Sequence, residues 1–368
     1  MKKILFIFGT RPEAIKLFPL VIEAKKNLKS KIKLLCTGQH DSLNELYKIF
    51  NVTPDSTLEL QRDTGSLSEL TSILINELDK FISIERPDLI IVHGDTTSSF
   101  IGALCAFYNK IDVAHVEAGL RTHNINNPFP EEINRAFISR ISKYNFCPTD
   151  ISKNNLLSES VDSCSIFVVG NTVIDAVKSI DKKIETDEEI KKDLYERFPY
   201  LSKYKKIILI TIHRRENWGT NLDNMLDAFR QLSNENIDYG FIFSTHPNPN
   251  LNKRVKSSLH SSQNIYVLEP QNYLNFVFLM KSSDLIYTDS GGIQEEATAI
   301  NKQVFVLRDH TERPEVLATG LVEVIGVSQK AIIKSINKYN THIPEESSPF
   351  GKGDASLKIT DILKSNGY

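Results

Sequence analysis

The segment 288–296 carries hydroxyl, glycine and carboxylate residues in an order suited to binding a phosphate. An apolar run at 285–287 precedes it and helix-forming residues follow, so a strand is predicted to enter a helix through a Ser-Gly-Gly turn. Backbone N–H groups at a helix N-terminus lie at the positive end of the helix dipole, where phosphate binds. Glycine lets a diphosphate approach the backbone, and one of the carboxylates of Glu295 and Glu296 would accept hydrogen bonds from a ribose. The segment therefore predicts a nucleotide-diphosphate site.

Three carboxylates in the first half of the chain stand where predicted strands end or a helix begins. Asp95 and Glu117 follow two apolar runs, and Glu131 opens a helix behind Pro130. Structural alternatives exist, since Asp95 would also serve as a helix N-cap and Glu131 would favour a helix dipole. The carboxyl ends of parallel strands meet at one sheet edge, so we expect the three side chains to lie together. Mutual repulsion and partial burial would then shift their pKa values apart, which provides one acid and one base.

Basic residues occupy further strand ends, where they would bind an anion. Arg11 and Lys16 bracket the first turn of a predicted helix, a position where cations do not favour the helix dipole. His213 and Arg214 follow an apolar run, a combination suited to proton transfer and anion binding. Arg313 is predicted to pair with phosphate. The alternative for Arg11 and Lys16 is a pair of solvated charges on an exposed turn, and for His213 and Arg214 it is a loop histidine with surface cations.

The composition is that of a soluble globular protein without bulk attraction to nucleic acid or membranes. The 368 residues carry a formal net charge of −2, with 40% hydrophobic and 24% charged residues. No apolar run reaches the roughly 18–20 residues that cross a bilayer. The four cysteines lack CxxC spacing and are predicted to be buried free thiols of a cytoplasmic protein. The sequence shows neither metal-ligand spacing nor a GxGxxG fingerprint, so no metal and no NAD are expected.

Apolar runs alternate with amphipathic stretches along the chain, which predicts parallel sheets covered by helices. The predicted strands are 4–8, 32–36, 88–92, 113–117, 166–169, 207–212, 239–243, 264–268, 284–288 and 303–307. The charged stretch 181–206 interrupts this alternation and predicts a domain junction near 170–205. We expect an α/β protein of two Rossmann-like doubly wound domains facing each other across a cleft. The predicted domains are 1–170 and 171–353, with a terminal helix at about 354–368 packing back on the first.

With these segments identified, the chain resembles the non-hydrolysing UDP-N-acetylglucosamine 2-epimerase family of bacteria. The resemblance covers nearly the whole chain, and its motifs are specific in combination although no single one is. The matching segments are Gly9–Lys16, Gly38–His40, His93–Thr97, Val116–Thr122, Pro130–Arg135, Gly170–Thr172, His213–Asn217, Thr288–Glu296 and Leu307–Asp309.

The resemblance implies a glycosyltransferase-B-like fold and reversible inversion at C2 of UDP-GlcNAc, which gives UDP-ManNAc for surface polysaccharide precursors. It implies anti-elimination of UDP to 2-acetamidoglucal and re-addition of UDP, since the C2 proton is not acidic enough for direct removal. It also implies that no cofactor takes part and that nucleic acid and membranes are not partners. The enzyme is expected to be cytoplasmic and, as family members usually are, a homodimer.

Functional residues follow from the resemblance position by position. Catalysis is assigned to Asp95, Glu117, Glu131 and His213, without a decision on which carboxylate is the base. The residues assigned to the substrate are Arg11, Lys16, Gln271, Phe276, Ser290, Gly291, Gly292, Glu296 and Arg313. In this assignment the cations stabilise the diphosphate, and the Ser-Gly-Gly turn holds phosphates. Glu296 binds the ribose, and Gln271 and Phe276 lie at the uracil.

Many bacterial members of the family use UDP-GlcNAc as an allosteric activator as well. The residues matched to that effector site are Gln39, His40, Arg214 and His246, although a histidine in a Pro-rich turn is more often structural. In this chain Asp41 follows, where an Arg is usual, and its charge would repel a second diphosphate. A later Arg of the effector site is matched by Thr64, with Arg62 close by. We expect effector activation to be weakened or absent.

Other functions share parts of this pattern. A hydrolysing epimerase would release UDP and ManNAc, a glycosyltransferase of the same fold would need an acceptor site, and a nucleotide-sugar sensor would bind without turnover. A related UDP-amino-sugar substrate also stays open, because few positions, among them 122–129, would contact the sugar ring.

Overall fold

The computed structural model describes residues 1–39, 43–214, 217–245, 248–260, 262–311, 313–339 and 348–368. The chain folds into two compact units, of which the first comprises Met1–Ala176 with Phe350–Tyr368 and the second Val177–Pro349. These limits lie a few residues from the predicted domain limits.

The first unit alternates strands and helices around one sheet. Its strands are β1 (Lys3–Phe8), β2 (Lys31–Cys36), β3 (Ser56–Thr57), β4 (Leu89–His93), β5 (Asp112–Val116), β6 (Tyr144–Cys147) and β7 (Ile166–Val168). Its helices are α1 (Arg11–Asn27), α2 (Asn44–Phe50), α3 (Leu67–Glu85), α4 (Thr97–Tyr108), α5 (Glu131–Ile141), α6 (Asp150–Ser158) and, from the end of the chain, α14 (Ala355–Ser365). Helix α7 (Thr172–Thr186) begins in this unit and continues into the second.

The second unit repeats the same alternation. Its strands are β8 (Lys206–Thr211), β9 (Tyr239–Ser244), β10 (Ile265–Leu268), β11 (Leu285–Thr288), β12 (Gln303–Val306) and β13 (Val322–Val324). Its helices are α8 (Glu188–Arg197), α9 (Thr220–Glu235), α10 (Pro249–Leu259), α11 (Tyr273–Ser282), α12 (Gly291–Ala299) and α13 (Gln329–Ser335). Short 3-10 turns lie at Ser163–Ser165, Pro199–Lys203, Pro314–Thr319 and Ile336–Lys338.

Each sheet is parallel and reverses its strand order near the middle. The order is β3-β2-β1-β4-β5-β6-β7 in the first unit and β10-β9-β8-β11-β12-β13 in the second. The reversals fall between β1 and β4 and between β8 and β11, where the loops at the carboxyl ends diverge and leave a crevice for ligands. The prediction of an α/β protein with two Rossmann-like doubly wound domains is confirmed for each unit.

The central strands are buried on both faces because helices cover both sides of each sheet. All residues of β4 and β11 are buried. The aromatic rings of Phe229, Tyr287 and Phe305 pack on one another in the core of the second unit, with ring centroids 5.1 and 5.3 Å apart. Such close packing fixes the strand ends, and therefore the loops that follow them, in defined positions.

The last segment of the chain is held against the first unit by a close backbone crossing. The backbone N–H of Asn171 donates to the carbonyl of Phe350 at 2.8 Å. A Cβ on Gly170, whose φ is +96°, would lie 2.8 Å from that same carbonyl oxygen, so a side chain there would force the two segments apart. The Asp175 carboxylate accepts a hydrogen bond from the backbone N–H of Ser356 at the start of α14. Helix α14 also packs against α1.

The structure corrects several sequence-based expectations. The short strands β3, β6 and β13 are not predicted, because they have only two to four residues and include polar side chains. The alternation is interrupted at 181–206 as predicted, because two helices follow each other without a strand between them: α7 extends to Thr186 and α8 follows it. Within 181–197 these helices are charged because they turn most of their residues to solvent, and the residues that they bury there are Ile184 and Leu194.

Two further expectations concern the burial of the cysteines and the presence of membrane-spanning segments. Cys36, Cys105 and Cys147 are buried free thiols as predicted, whereas Cys164 is exposed because it lies in a 3-10 turn on the surface. Among the helices of the described residues, none is both long enough and apolar enough to span a membrane.

Candidate active site

Glu117 follows β5 in a backbone conformation that residues other than glycine seldom adopt. Its φ is 65°, in the left-handed region, and proteins retain such strain mainly where a side chain must point in a defined direction. Its Oε2 accepts a hydrogen bond from Asn171 Nδ2 at 2.9 Å and forms an ion pair with the Lys16 ammonium. The side chains of the ion pair are only 12% and 9% exposed. The carboxylate is therefore largely removed from water, and a neighbouring cation offsets its charge.

Asp95 lies in the loop after β4, the neighbouring strand, and is held by α5. Arg135 Nη2 donates to its Oδ2 at 2.5 Å, and Asn134 Nδ2 donates to its backbone carbonyl at 2.9 Å. Burial raises the pKa of Asp95, the Arg135 guanidinium opposes that rise, and the negative charge of Glu117 adds to it. The charge of Glu117 is thus close enough to influence the protonation of Asp95.

Glu131 opens α5, one turn before the two residues that hold Asp95. The helix end that carries Glu131 therefore lies beside the Asp95 loop. The N-cap of α4 is Thr96, whose hydroxyl accepts a hydrogen bond from the Ser99 backbone N–H at 3.1 Å. The alternative role of Asp95 as N-cap is thereby ruled out, and its carboxylate is directed to Arg135 instead.

A further carboxylate, Glu13, joins the loops after β1 and β4. Its Oε2 accepts hydrogen bonds from the backbone N–H groups of Gly9 at 3.0 Å and Thr10 at 2.7 Å. Its Oε1 accepts from the hydroxyls of Thr96 and Ser99, each at 2.7 Å. Glu13 is only 2% exposed, and burial raises its pKa although these hydrogen bonds oppose the rise. Glu13 therefore fixes the two loops on either side of the strand-order reversal.

In the second unit the buried carboxylate of Asp289 plays the corresponding structural role. It accepts hydrogen bonds from the backbone N–H groups of His213 and Arg214 and from Asn217 Nδ2, each at 2.9 Å. Asp289 follows β11 and the other three residues follow β8, so the hydrogen bonds join the two loops at the strand-order reversal. His213 and Arg214 are thereby fixed at the same sheet edge as the start of α12.

The N-terminus of α12 has the features expected of a phosphate site. Ser290 is its N-cap, and Gly291 and Gly292 form its first turn. The guanidinium carbon of Arg313 lies 3.9 Å from the position of a Cβ on Gly291. The Glu296 Oε1 lies 3.9 Å from the position of a Cβ on Gly292. The helix dipole and the guanidinium together make this end positive, with a carboxylate one turn behind.

The two carboxylates at the start of α12 have different environments. Glu295 is fully buried and forms an ion pair with Arg313 Nε, which offsets the cost of burying the carboxylate. The pair also fixes Arg313 at the helix N-terminus. Glu296 is only partly buried and lies on the side of Gly292.

Two residues predicted to contact a base lie at the start of α11. Gln271 precedes the helix, and its Oε1 accepts a hydrogen bond from Asn275 Nδ2 at 3.0 Å. Phe276 lies one turn into the same helix and is partly buried. The start of α11 therefore carries both an amide and an aromatic side chain.

The residues matched to an effector site are only partly described. Gln39 Oε1 accepts a hydrogen bond from the Ser98 hydroxyl at 2.7 Å. Arg214 follows β8, is partly buried, and donates its backbone N–H to the Asp289 carboxylate. Arg11, which is matched to the substrate and not to the effector, is the first residue of α1 and is also partly buried. His40 and His246 lie outside the described residues.

Sequence reasoning assigns no role to several residues that hold the candidate site. These are Glu13, His93, Arg135, Asn171 and Asp289. All five lie within the quoted motifs, so their position near a strand end was an available signal. Their partners belong to other elements, and these contacts are not visible in a linear sequence. Within the part of the chain that the structure describes, no group of three or more His, Cys, Asp or Glu side chains is arranged to hold a metal ion.

Comparison with known proteins identifies the same family throughout the chain. Residues 22–364 match the family model described as UDP-N-acetylglucosamine 2-epimerase. A UDP-N-acetylglucosamine 2-epimerase of Neisseria meningitidis serogroup A is 43% identical over 99% of this chain and 100% of its own length. The crystal structure of UDP-GlcNAc 2-epimerase from Neisseria meningitidis bound to UDP-GlcNAc aligns with a TM-score of 0.92, at 42% identity, over 99% of this chain and 100% of that chain. A second crystal structure is that of Methanocaldococcus jannaschii UDP-GlcNAc 2-epimerase in complex with UDP-GlcNAc and UDP. It aligns with a TM-score of 0.84, at 37% identity, over 99% of both chains.

The pairing of Arg135 with Asp95 generates a prediction about pH dependence. Replacing Arg135 by methionine removes the cation that opposes the raised pKa of Asp95, so that pKa should rise further. The limb of the kcat/KM profile that reports Asp95 should then move to higher pH, whether Asp95 acts as acid or as base. Measurement of kcat/KM from pH 5 to 10 checks this shift.

A matched control lies on the same helix. Arg140 of α5 donates to the Ser160 carbonyl at 3.3 Å and faces away from Asp95. Arg140→Met makes the same chemical change and should leave the pH profile in place. An equal shift in both variants, or none in Arg135→Met, would contradict the assigned role of Arg135.

Proposed function

Because the chain belongs to the UDP-N-acetylglucosamine 2-epimerase family, we propose that it interconverts UDP-GlcNAc and UDP-ManNAc by inverting C2. The observation that carries this proposal is the pair of carboxyl groups at the ends of β4 and β5. Asp95 and Glu117 each have their own cation, and their side chains are 25% and 9% exposed. Inversion at carbon requires removal of a proton from one face and its return to the other, which two such groups can perform.

The proposed reaction begins with an elimination. One carboxylate takes the C2 proton, the C–H electron pair becomes the C1–C2 double bond, and the C1–O bond breaks toward the diphosphate. The products are 2-acetamidoglucal and UDP. Return of a proton to the opposite face of C2 and attack of UDP on C1 then give the epimer. Glu131, on the helix that holds Asp95, is the third candidate for these proton transfers.

The second unit is proposed to hold the UDP portion. The start of α12, with Ser290, Gly291 and Gly292, offers backbone N–H groups to a phosphate, and Arg313 adds a positive charge. Glu296 is proposed to accept hydrogen bonds from the ribose hydroxyls. The uracil would stack near Gln271 and Phe276 of the α11 region.

Departure of UDP creates negative charge that the site must stabilise. His213, fixed by Asp289, and the cations Arg11 and Lys16 are proposed to fulfil this role. Stabilising the leaving diphosphate lowers the barrier to elimination, and retaining it makes re-addition possible. The epimerase would therefore keep both fragments until the bond re-forms.

The proposal also covers the cofactor, the location and the oligomeric state of the enzyme. The reaction needs no cofactor, since the acid, the base and the electrostatic groups all come from the chain. We propose that the enzyme is a non-hydrolysing isomerase that works in the cytoplasm as a homodimer and supplies surface polysaccharide precursors.

Replacing either carboxyl should abolish most activity. Asp95→Asn and Glu117→Gln should each lower kcat by about 10²–10⁴-fold, the range expected for loss of a general acid or base. Glu85→Gln is the matched control, because Glu85 is also a carboxylate of the first unit paired with lysines, Lys3 and Lys33. The measurement is proton and phosphorus NMR of UDP-GlcNAc conversion to intact UDP-ManNAc.

The same spectra separate the alternatives. Accumulation of free UDP and ManNAc would assign the chain to hydrolysing epimerases, and binding without turnover would assign it to nucleotide-sugar sensors. Wild-type activity in both carboxyl variants, or equal loss in Glu85→Gln, would contradict the proposed site.

Effector activation is proposed to be weak or absent, and the region around Thr64 supports this. The Glu69 carboxylate accepts hydrogen bonds from the backbone N–H groups of Asp63 at 2.6 Å and Gly65 at 2.8 Å and from the Thr64 hydroxyl at 2.9 Å. The Arg62 guanidinium donates to the Gly65 carbonyl at 2.8 Å. A carboxylate thus occupies donors that an anionic effector would need.

Kinetics in the direction from UDP-ManNAc test this proposal. Addition of UDP-GlcNAc should produce no more than ordinary product inhibition, because the region around Thr64 disfavours a second diphosphate. The measurement is the initial rate at fixed UDP-ManNAc over a range of UDP-GlcNAc concentrations, with rates corrected for the back reaction. A rate that rises sigmoidally with UDP-GlcNAc would contradict the proposal.

A further inference from the structure

Asn171 is a buried residue that holds the Glu117 carboxyl and that the proposed mechanism does not use. It stands immediately before α7 and is only 2% exposed. Its Nδ2 donates to Glu117 Oε2 at 2.9 Å, across 54 positions of sequence. A hydrogen bond to a charged group is stronger than one between neutral groups, so this contact can influence how the carboxyl is held.

The orientation of the Asn171 amide is fixed by a second hydrogen bond. The backbone N–H of Val173 donates to Asn171 Oδ1 at 3.0 Å. A backbone N–H only donates, so the atom that faces Val173 is the amide oxygen, and the NH2 group is the one that faces Glu117. The side chain therefore caps the N-terminus of α7 with its oxygen and donates to the carboxylate with its nitrogen.

The backbone of Asn171 is held on both sides. Its N–H donates to the Phe350 carbonyl at 2.8 Å, and its own carbonyl accepts from the Ile174 N–H at 3.0 Å. The preceding residue, Gly170, passes so close to Phe350 that a Cβ there would lie 2.8 Å from the same carbonyl oxygen. The amide nitrogen is thus directed at Glu117 from a backbone that has little freedom to move.

The other donor to Glu117 Oε2, the Lys16 ammonium, is of a different kind. An ammonium is a point charge on a flexible chain, so it offsets the negative charge without setting the direction of the carboxylate. The glutamate side chain does not set that direction either, because its terminal torsion has a broad range. A planar amide held at both ends is the donor able to do so.

On the basis of the proposed function, we propose that Asn171 is a positioning residue that orients the Glu117 carboxyl for proton transfer. Lys16 offsets the charge, and the amide of Asn171 holds Oε2. The second carboxyl oxygen, Oε1, lies 3.7 Å from the position of a Cβ on Gly94 and so faces the loop that carries Asp95. Proton transfer depends steeply on geometry, so loss of the amide should slow the reaction without weakening substrate binding.

The ionisable groups around Glu117 are retained when Asn171 is changed. Among the residues that the structure describes, these groups are Lys16 of α1, His93 of β4, Asp95 in the loop after β4 and His115 of β5. Burial lowers the pKa of His93 to about 4, so its imidazole is neutral at neutral pH. A change confined to Asn171 therefore reports the contribution of its own side chain.

Two variants separate positioning from helix capping. Asn171→Ser retains an oxygen that caps a helix as well as asparagine does, but its side chain is one bond shorter and no longer reaches Glu117. Asn171→Ala lacks the cap as well. We expect kcat to fall about tenfold in both variants, the size of one hydrogen bond, with KM unchanged. Only Asn171→Ala should also unfold at a lower urea concentration. Wild-type kcat in Asn171→Ser would overturn the proposal.

Asn248→Ala is the matched control for the loss of a cap. Asn248 caps α10, and its side-chain oxygen accepts a hydrogen bond from the Asn250 backbone N–H at 3.0 Å. The substitution should lower the urea midpoint and leave kcat in place. A fall in kcat equal to that of Asn171→Ala would show that the loss follows from destabilisation, and the proposal would be wrong.

A double-mutant cycle tests whether Asn171 acts through Glu117. Added to Glu117→Gln, Asn171→Ser should lower the residual kcat by no more than about twofold, because the carboxyl that it orients is already absent. A further tenfold loss would mean that Asn171 acts on another group and would overturn the proposal.

A carbon NMR titration of protein labelled at the glutamate carboxyl carbons gives a reading that does not depend on turnover. The Glu117 signal is assigned by its absence in Glu117→Gln. Loss of a donor that stabilises the ionised carboxylate should move its titration to higher pH in Asn171→Ser and not in Asn248→Ala. An unmoved titration in Asn171→Ser would overturn the proposal. If this shift is observed but the wild type does not epimerise, the proposed function is contradicted and the contact between Asn171 and Glu117 is not.

Discussion

The ion pair between Lys16 and Glu117 is the interaction on which the first unit depends. It joins the helix after β1 to the end of β5 across the end of β4, at the edge where the strand order reverses. A carboxylate so far removed from water is costly to ionise without a cation, and the cation is costly to bury without the carboxylate. The contact therefore determines which side chains can stand beside it: an amide from Asn171, a neutral imidazole from His93 and a second carboxyl, Asp95, with its own arginine.

In the second unit buried carboxylates also hold loops in place, but these loops carry groups suited to binding phosphate. Buried Asp289 accepts hydrogen bonds from backbone N–H groups of the loop after β8, and buried Glu295 holds Arg313 at the start of α12. In both units a buried carboxylate near a strand end organises the loops that carry the functional groups. In the first unit the groups placed there are carboxyls suited to acid–base chemistry, and in the second the group is a positive helix end suited to phosphate. One fold thus supports two kinds of site through the residues placed at its strand ends.

Much of this organisation follows from the sequence, and the missing part has a physical cause. Apolar runs predict most strands. The residue types after these runs predict functional loops at Asp95, at Glu117 and before α12, because the carboxyl ends of parallel strands lie at one edge of a sheet. The short strands β3, β6 and β13 give too little periodicity to predict. The roles of Glu13, Arg135 and Asn171 depend on partners from distant elements. Glu13, for example, meets Thr96 and Ser99 only because β1 and β4 are neighbours.

The most direct test of the account is the fate of the C2 hydrogen during turnover in D₂O. The enzyme would be incubated with UDP-GlcNAc, and deuterium at C2 of UDP-ManNAc would be measured by NMR and mass spectrometry at low conversion. The account predicts one deuterium at C2 of nearly every product molecule, because one carboxyl removes the proton and another supplies a solvent-derived one. Product that retains its original hydrogen at C2 would contradict proton transfer by two separate carboxyl groups.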